Sequence, residues 1–250
     1  MDRDAIGRIV DILAKSNQTV VVTGAGISTE AGIPDFRGEN GIYRKLGGEE
    51  AVMEIININT FRRNPEKFYE FYKAHFVLPP VQPSKAHLAL ARMEKKGWIK
   101  AVVTQNVDSL HQNAGTQNLI PIHGTRNRFI CTGGCPGVYD WDYILKLPKV
   151  VPTCPNCDKV LKPDVVLFGE PINNYQIAEQ TIAEASALVV IGSSLSVYPL
   201  AAFVRDYDNG ELIIINRGPT ELDYAATIKL DTNQTGDTLE EIEKRLEETA

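Results

Sequence analysis

At 250 residues, 27.6 kDa and 43% hydrophobic content, the chain suits one large domain, or a domain with a smaller companion, around an ordinary buried core. No stretch approaches the ~18–20 consecutive apolar residues of a membrane span, and the amino terminus has neither an apolar h-region nor a small-residue cleavage site. A cytoplasmic protein without a membrane partner is therefore expected. The formal charge of −6, from 26 Lys and Arg against 32 Asp and Glu, argues against direct nucleic-acid binding, which needs cationic phosphate contacts.

In chain order, the opening MDRDAIGRIVDILAK reads as an amphipathic helix, with Ile6, Ile9, Val10 and Leu13 on one face. Nearly continuous apolar runs follow at TVVVTG (19–24), IKAVVTQN (99–106), ALVVIGSS (187–194) and ELIIINRG (211–218), as expected of strands buried on both faces. Helical patterns accompany them at 84–97, at 174–186 and over TLEEIEKRLEE, where Leu239, Ile242 and Leu246 share a face. The alternation predicts an α/β fold, a Rossmann-like parallel sheet with helices on both faces. Two segments interrupt it. Residues 39–80 read as a long helical insert ending in Pro79-Pro80, and 124–165 hold all four cysteines and little periodicity. The expected layout is a sheet domain from 1–38, 81–123 and 166–250, with 39–80 and 124–165 forming a small lobe.

Residues 22–38 read VTGAGISTEAGIPDFRG. Gly24 and Gly26 resemble the start of a dinucleotide loop, but the third glycine is not three positions on; the next is Gly32. Ligands of such sheets bind outside the carboxyl ends of the strands. Those ends carry Thr23-Gly24-Ala25-Gly26, Gln105-Asn106-Val107-Asp108, Gly192-Ser193-Ser194 and Asn216-Arg217, small and polar groups suited to phosphates and ribose hydroxyls.

The cysteine pairs Cys131-Thr-Gly-Gly-Cys135 and Cys154-Pro-Asn-Cys157 have the spacing of a tetrahedral thiolate zinc site. Four thiolates fill the coordination shell, so one structural Zn2+ is expected, stapling a lobe short of apolar residues. Of four histidines, His75 and His87 read as surface or hydrogen-bonded core residues, and His111 as packing the rim. His123 ends the apolar run NLIPIH and precedes Gly124, where a backbone can pass close to a ligand. It is the candidate general base. No nucleophile elbow, zinc-protease helix or nucleotide-hydrolysing phosphate loop is present, and no residue stands out as a nucleophile; one explanation is that a cofactor itself supplies the reactive centre.

Together these motifs resemble the sirtuins, NAD-dependent protein deacylases, of prokaryotic type. The resemblance runs from about residue 18 to about 220 and rests on Gly24-Ala25-Gly26-Ile27-Ser28, Gly32-Ile33-Pro34-Asp35-Phe36-Arg37-Gly38, Thr104 to His111 with Ala114-Gly115, His123-Gly124, both cysteine pairs, Pro163 to Glu170, and Gly192 to Pro199. It implies an NAD-binding sheet domain and a small lobe built of a zinc ribbon and the helical insert. It further implies removal of acetyl groups from protein lysines, giving nicotinamide, free lysine and 2′-O-acetyl-ADP-ribose, with NAD-dependent mono-ADP-ribosyl transfer to protein, or removal of other acyl groups, as the alternative on the same scaffold. His123 and Asn106 are the implied catalytic residues, with His123 taking a proton through the ribose hydroxyls.

The residues implied to bind NAD are Gly24, Ala25, Gly26, Ile33, Asp35, Phe36, Arg37, Gln105, Asn106, Asp108, Gly192, Ser193, Ser194 and Asn216. Among them the Ala25 and Gly26 amides would hold the pyrophosphate, and 32–38 would form a mobile loop between glycine hinges. Val166 and Phe168 would line an acyl-lysine tunnel. The substrate protein would lie between the lobes as an added strand against Val166, Phe168, Gly169, Glu170, Leu195 and Val197. Sirtuins that prefer succinyl or malonyl groups carry Tyr-x-x-Arg; here Tyr72 is followed by His75, so acidic acyl groups are expected to be poor substrates.

Overall fold

The computed structural model of the protein describes residues 2–77 and 81–249. Its strands are β1 (Thr19–Thr23), β2 (Ala101–Thr104), β3 (Leu119–Pro121), β4 (Gly124–Cys131), β5 (Val138–Tyr139), β6 (Leu161–Val165), β7 (Ala187–Ile191), β8 (Glu211–Asn216) and β9 (Ile228–Asp231). Six of them form one sheet in the order β3-β2-β1-β7-β8-β9, and every neighbouring pair is parallel. Side chains alternate across a strand. Val21, Val189, Ile213 and Ile215 therefore join Ile6, Ile9, Leu13 and Ile242 on one face. Val20, Val22, Val190 and Ile214 join Ile182, Leu200 and Phe203 on the other. Both faces are covered, which is why the strand sequences are apolar without a break.

The first face carries the helices Arg3–Lys15, Lys85–Lys95 and Thr235–Thr249, and the second Tyr175–Ala183 and Leu200–Arg205. Asp2 starts the first helix by accepting from the amides of Asp4 and Ala5 at 3.1 and 3.0 Å, satisfying two donors that have no partner within the helix. Helices Lys85–Lys95 and Thr235–Thr249 are joined by the Arg92 guanidinium, which grips the Glu243 carboxylate through Nε and Nη2.

Strand order reverses between β1 and β7, and the loops after these two strands meet there. The Gly24 amide donates to the Ile191 carbonyl at 3.0 Å and the Gly26 amide to the Gly192 carbonyl at 2.8 Å. A Cβ on Gly24 would lie 2.7 Å from the Gly192 oxygen, and one on Gly26 would lie 2.7 Å from the Gly192 Cα. The glycines of the broken fingerprint thus let two strand-end loops touch, backbone to backbone, at the switch point where such sheets bind ligands.

β5, β4 and β6 form a separate antiparallel sheet. The segment read as one long helical insert is four short helices, Ile42–Lys45, Glu49–Ile55, Ile58–Arg63 and Pro65–Phe76. Capping residues inside the run break it. Asn57 accepts from the Asn59 amide, and Asn64 accepts from the Lys67 amide with Pro65 in the first turn, an arrangement that begins helices. The expected end at Pro79-Pro80 lies outside the described residues.

The expectation that this region lacks apolar residues is also corrected. Phe61, Phe68, Tyr69 and Tyr72 from the helices bury themselves with Phe129, Ile144 and Leu161 from the cysteine-bearing segment. Tyr72 stacks on Phe68 at 5.3 Å, and Phe129 meets Trp141 edge-on at 4.7 Å. The aromatic partners come from two stretches distant in sequence.

Candidate active site

His123 lies between β3 and β4, immediately before β4, and is held by backbone bonds on both sides. The Ile122 amide donates to the Thr104 carbonyl at 3.0 Å, and the Val166 amide donates to the His123 carbonyl at 2.9 Å. The imidazole Nδ1 lies 3.0 Å from the Gln105 carbonyl oxygen. A carbonyl can only accept, so Nδ1 carries the hydrogen and Nε2 keeps its lone pair. Burial holds the His123 pKa below the ordinary histidine value, against the smaller opposing pull of the Gln105 carbonyl. The ring is therefore neutral at pH 7, with one basic nitrogen available. Gly124 is required for a different reason from the one expected: at φ +80° a Cβ would meet the Asp164 carbonyl oxygen at 2.1 Å. The protein's own strand β6 makes the close approach.

The end of β2 lies beside the glycine loop. The Asn106 side-chain amide donates to the Gly24 carbonyl at 3.1 Å and to Ser28 Oγ at 3.2 Å. Ser28 Oγ in turn donates to Asp108 Oδ2 at 2.7 Å, while Asp108 Oδ1 accepts from the Leu110 amide at 2.9 Å. Gln105 Oε1 accepts from Ser193 Oγ at 3.1 Å, linking the ends of β2 and β7. Beneath this rim, Thr23 Oγ1 donates to Thr104 Oγ1 at 2.8 Å and lies 2.9 Å from His111 Nε2. The threonine hydrogen is already used, so His111 donates through Nε2. His87 shares the layer, bonded to Ser84 at 2.7 Å. Burial pushes the pKa values of His87 and His111 down to about 4 and about 3, so both are neutral framework residues.

Several expected contact residues are engaged within the chain. The Gly26 amide, expected at the pyrophosphate, donates to Gly192. Asp35 Oδ1 accepts from the Gly38 amide at 2.8 Å, and Arg37 pairs with Glu49 and lies over the Tyr43 ring. The Ile42 and Tyr43 amides donate to the Asp35 and Phe36 carbonyls at 2.9 and 3.0 Å. These bonds tie the 32–38 loop to the small lobe, and the Phe36 ring packs on Tyr43 at 5.4 Å. The Asn216 side-chain Nδ2 donates to the Arg217 and Gly218 carbonyls, and Ser194 Oγ lies 2.8 Å from Ser196 Oγ. Ile33 donates its amide to the Ser28 carbonyl at 3.3 Å.

On the substrate side, Phe168 bonds through both backbone groups to Ile56 and Ile58, joining 166–170 to the helical insert. The Glu170 carboxylate accepts from the Leu167 amide and pairs with Lys162, both at 2.9 Å. Leu195 is buried at φ +56°, and the Val197 carbonyl accepts from the Ala201 amide. In the cysteine-bearing segment, the Sγ atoms of Cys131, Cys135, Cys154 and Cys157 all lie within 4.8 Å of one another. Four thiol donors so gathered fit one tetrahedral Zn2+ with a closed shell.

A family model described as the Sir2 family matches residues 24–199. The chain belongs to the Sir2 family. The NAD-dependent protein deacetylase of Clostridium perfringens is 41% identical over 232 residues, covering 91% of this chain and 94% of that one. A solved Sir2 chain with deacetylated p53 peptide and 3′-O-acetyl ADP ribose superposes with a TM-score of 0.86 at 39% identity, covering 97% and 98% of the two chains. A second, with p53 peptide and NAD+, superposes with a TM-score of 0.82 at 38% identity and covers 98% of each. Family membership makes NAD the cofactor and gives the four-cysteine site its zinc.

Within this Sir2-family chain, sequence reasoning quoted Ser28 in a motif and gave it no role, yet its hydroxyl joins Asn106 to Asp108. The available signal was indirect: a carboxylate in a buried rim needs donors, and Ser28 is the hydroxyl on the turn after the glycines. Arg126, buried in β4 with its Nε unpartnered, was missed entirely. No helix among the described residues is long and apolar enough to cross a membrane.

Proposed function

We infer that His123 is the general base with which this chain, an NAD-dependent protein deacetylase, removes acetyl groups from protein lysine side chains. The observation that carries the assignment is the bond between His123 Nδ1 and the Gln105 carbonyl, which leaves Nε2 as the acceptor in a buried, neutral ring. NAD, when bound, supplies an electrophilic ribose carbon from which nicotinamide departs and a ribose hydroxyl that takes the acetyl group. His123 Nε2 receives the proton of that hydroxyl system. Asn106, with both amide hydrogens held by Gly24 and Ser28, keeps its carbonyl oxygen for the ribose or for the attacking water. Gly24, Ala25, Ser193 and Asn216 face the phosphate and adenosine end, and Phe36 shields the reacting carbon from stray water.

The substrate protein lies as an added strand between the lobes, against Gly169, Glu170 and the 195–197 segment. Val166 and Phe168 line the channel for the modified lysine. The division into a sheet domain (1–38, 81–123, 166–250) and a small lobe (39–80, 124–165) is supported by the separate aromatic core shared by the two inserts. A cytoplasmic setting and no nucleic-acid partner fit the −6 charge. Mass spectrometry of an acetyl-lysine peptide incubated with enzyme and NAD tests the reaction. Loss of the acetyl group with release of nicotinamide is expected, and gain of ADP-ribose by the peptide would contradict it.

A further inference from the structure

β6 is an end strand of its sheet, paired with β4 along one edge. The Thr132 amide donates to the Val160 carbonyl at 3.1 Å, so the even-numbered residues here turn their main-chain groups toward β4, and Leu161, Pro163 and Val165 turn theirs away. An open outer edge of this kind would accept a further strand. It is closed instead. The Leu161 amide donates to the Pro152 carbonyl, and the Leu161 carbonyl accepts from the Tyr69 hydroxyl. Pro163 has no amide to offer. The Lys162 ammonium covers what remains, donating to the Val165 carbonyl at 2.7 Å and to the Pro163 carbonyl at 3.4 Å.

The same ammonium pairs with the Glu170 carboxylate at 2.9 Å, with side chains only 13% and 23% exposed, so water and salt screen this pair less than one at the surface. Glu170 also closes a turn on itself: its carboxylate accepts from the Leu167 amide at 2.9 Å, and its own amide donates to the Leu167 carbonyl at 3.0 Å. Lys162 therefore fixes both ends of this segment, Val165 at its start and Glu170 at its finish. Between them, the Val166 amide is tied to His123, and Phe168 to Ile56 and Ile58. Among the described residues, the Val166 and Gly169 carbonyls and the Gly169 amide take no partner from the chain, and Gly169 is exposed. These are the groups left for an added strand, and the anchors on either side set their direction.

We propose that Lys162 is a positioning residue of the deacetylation: through Val165 and Glu170 it holds the 165–170 segment in the shape that presents the Val166 and Gly169 main-chain groups to the substrate strand. The assignment rests on the reading that the substrate pairs along this segment. Lys162 acts through the segment and not on the reacting atoms, so its effect falls on peptide binding. It also changes the part played by Glu170. With its charge balanced inside the protein, that carboxylate shapes the turn, and pairing with the substrate depends on main-chain groups more than on substrate charge.

The test compares native enzyme, Lys162→Met and Glu170→Gln on one acetyl-lysine peptide, with KM measured separately for the peptide and for NAD. Lys162→Met removes the charge and keeps most of the side chain; it should raise the peptide KM ~10-fold, the loss of about one charge-assisted hydrogen bond, while kcat and the NAD KM stay within about twofold. Glu170→Gln keeps an acceptor for the Leu167 amide and should act in the same direction by less. The double variant should be no worse than Lys162→Met alone, because it leaves no charge unpaired. A folded Lys162→Met with an unchanged peptide KM, or with both KM values raised alike, would overturn the proposal; should Lys162→Met not fold, the same two outcomes in Glu170→Gln decide it. The strand reading is checked separately with a peptide N-methylated on the main chain at the residues flanking the acetyl-lysine. Native enzyme that binds it as tightly as the parent peptide would overturn the strand reading and this proposal together. Weakened binding of that peptide, with the parent's KM unchanged in both variants, would overturn the assignment to Lys162 alone.

Discussion

Removing the Ser28 hydroxyl should damage both stability and catalysis, because that one oxygen connects two functional side chains. Ser28 is 1% exposed; it donates to Asp108 at 2.7 Å and accepts from Asn106 at 3.2 Å. A bond to a charged acceptor contributes ~1.5–3 kcal/mol and a neutral one ~0.5–1.5 kcal/mol. The cavity left by one oxygen is too small to readmit water comfortably, so Ser28→Ala should destabilise by ~2–4 kcal/mol. Urea denaturation gives this directly as a fall in midpoint at constant slope. Thr29→Ala is the control, since Thr29 is exposed and bonds only to the Gly26 carbonyl. The variant should also lose kcat/KM for the acetylated peptide, through an Asn106 free to rotate. A loss of stability below ~1 kcal/mol, or no more than in the Thr29 control, would refute the hub assigned to Ser28.

The histidine layer gives a pH dependence. His87 and His111 have folded pKa values of about 4 and about 3, below the ~6.5 of an unfolded chain. The unfolded state therefore binds protons that the folded state refuses. Their stability is present above pH 6.5 and lost as pH falls, by roughly 2 kcal/mol each at pH 5. Denaturation midpoints at pH 7 and 5 check this, and equal midpoints would contradict it. Gly192→Ala puts a Cβ 2.4 Å from the Ile27 nitrogen at φ +62° and should cost roughly 2–5 kcal/mol in urea melts. Gly218→Ala, at φ +76° in open space, should cost only ~1–2 kcal/mol. Equal losses at the two positions would show that contact between the strand-end loops is unimportant. Cys154→Ser should abolish stoichiometric zinc by atomic emission and with it peptide turnover; full zinc content would refute the four-thiolate site.

The sheet was legible because its strands are buried on both faces, so Val20 to Val22 and Leu188 to Ile191 form unbroken apolar runs. The four-cysteine cluster was legible because the spacing of its two pairs marks it. The breaks in the helical insert were readable in principle, since Asn57, Asn64 and Pro65 are capping residues, but an apolar period through 49–76 masked them. The lobe's aromatic core was not legible. Phe68 and Tyr72 meet Phe129 and Trp141 only in the fold, and no local pattern reports partners so distant. Arg126 was hidden for a related reason: a bulge sends it inward while Arg128, two residues on, reaches Asp164, and strict alternation puts both on one face. Gly24 and Gly26 stood out in the sequence as the start of a phosphate loop; in the fold, the backbone they accommodate is that of Gly192.

The central claim is that His123 Nε2 is the base of the deacetylation. It is tested most directly by the rate of acetyl-peptide deacetylation at saturating NAD for native enzyme and for His123→Ala, over pH 5–8. The account expects a loss of ~10²- to 10⁴-fold in the variant. It also expects native activity to fall on acidification with an apparent pKa below the ordinary ~6.5, since the neutral ring is the active form. A variant that deacetylates at the native rate, or a native acid limb that persists unchanged in the variant, would contradict it.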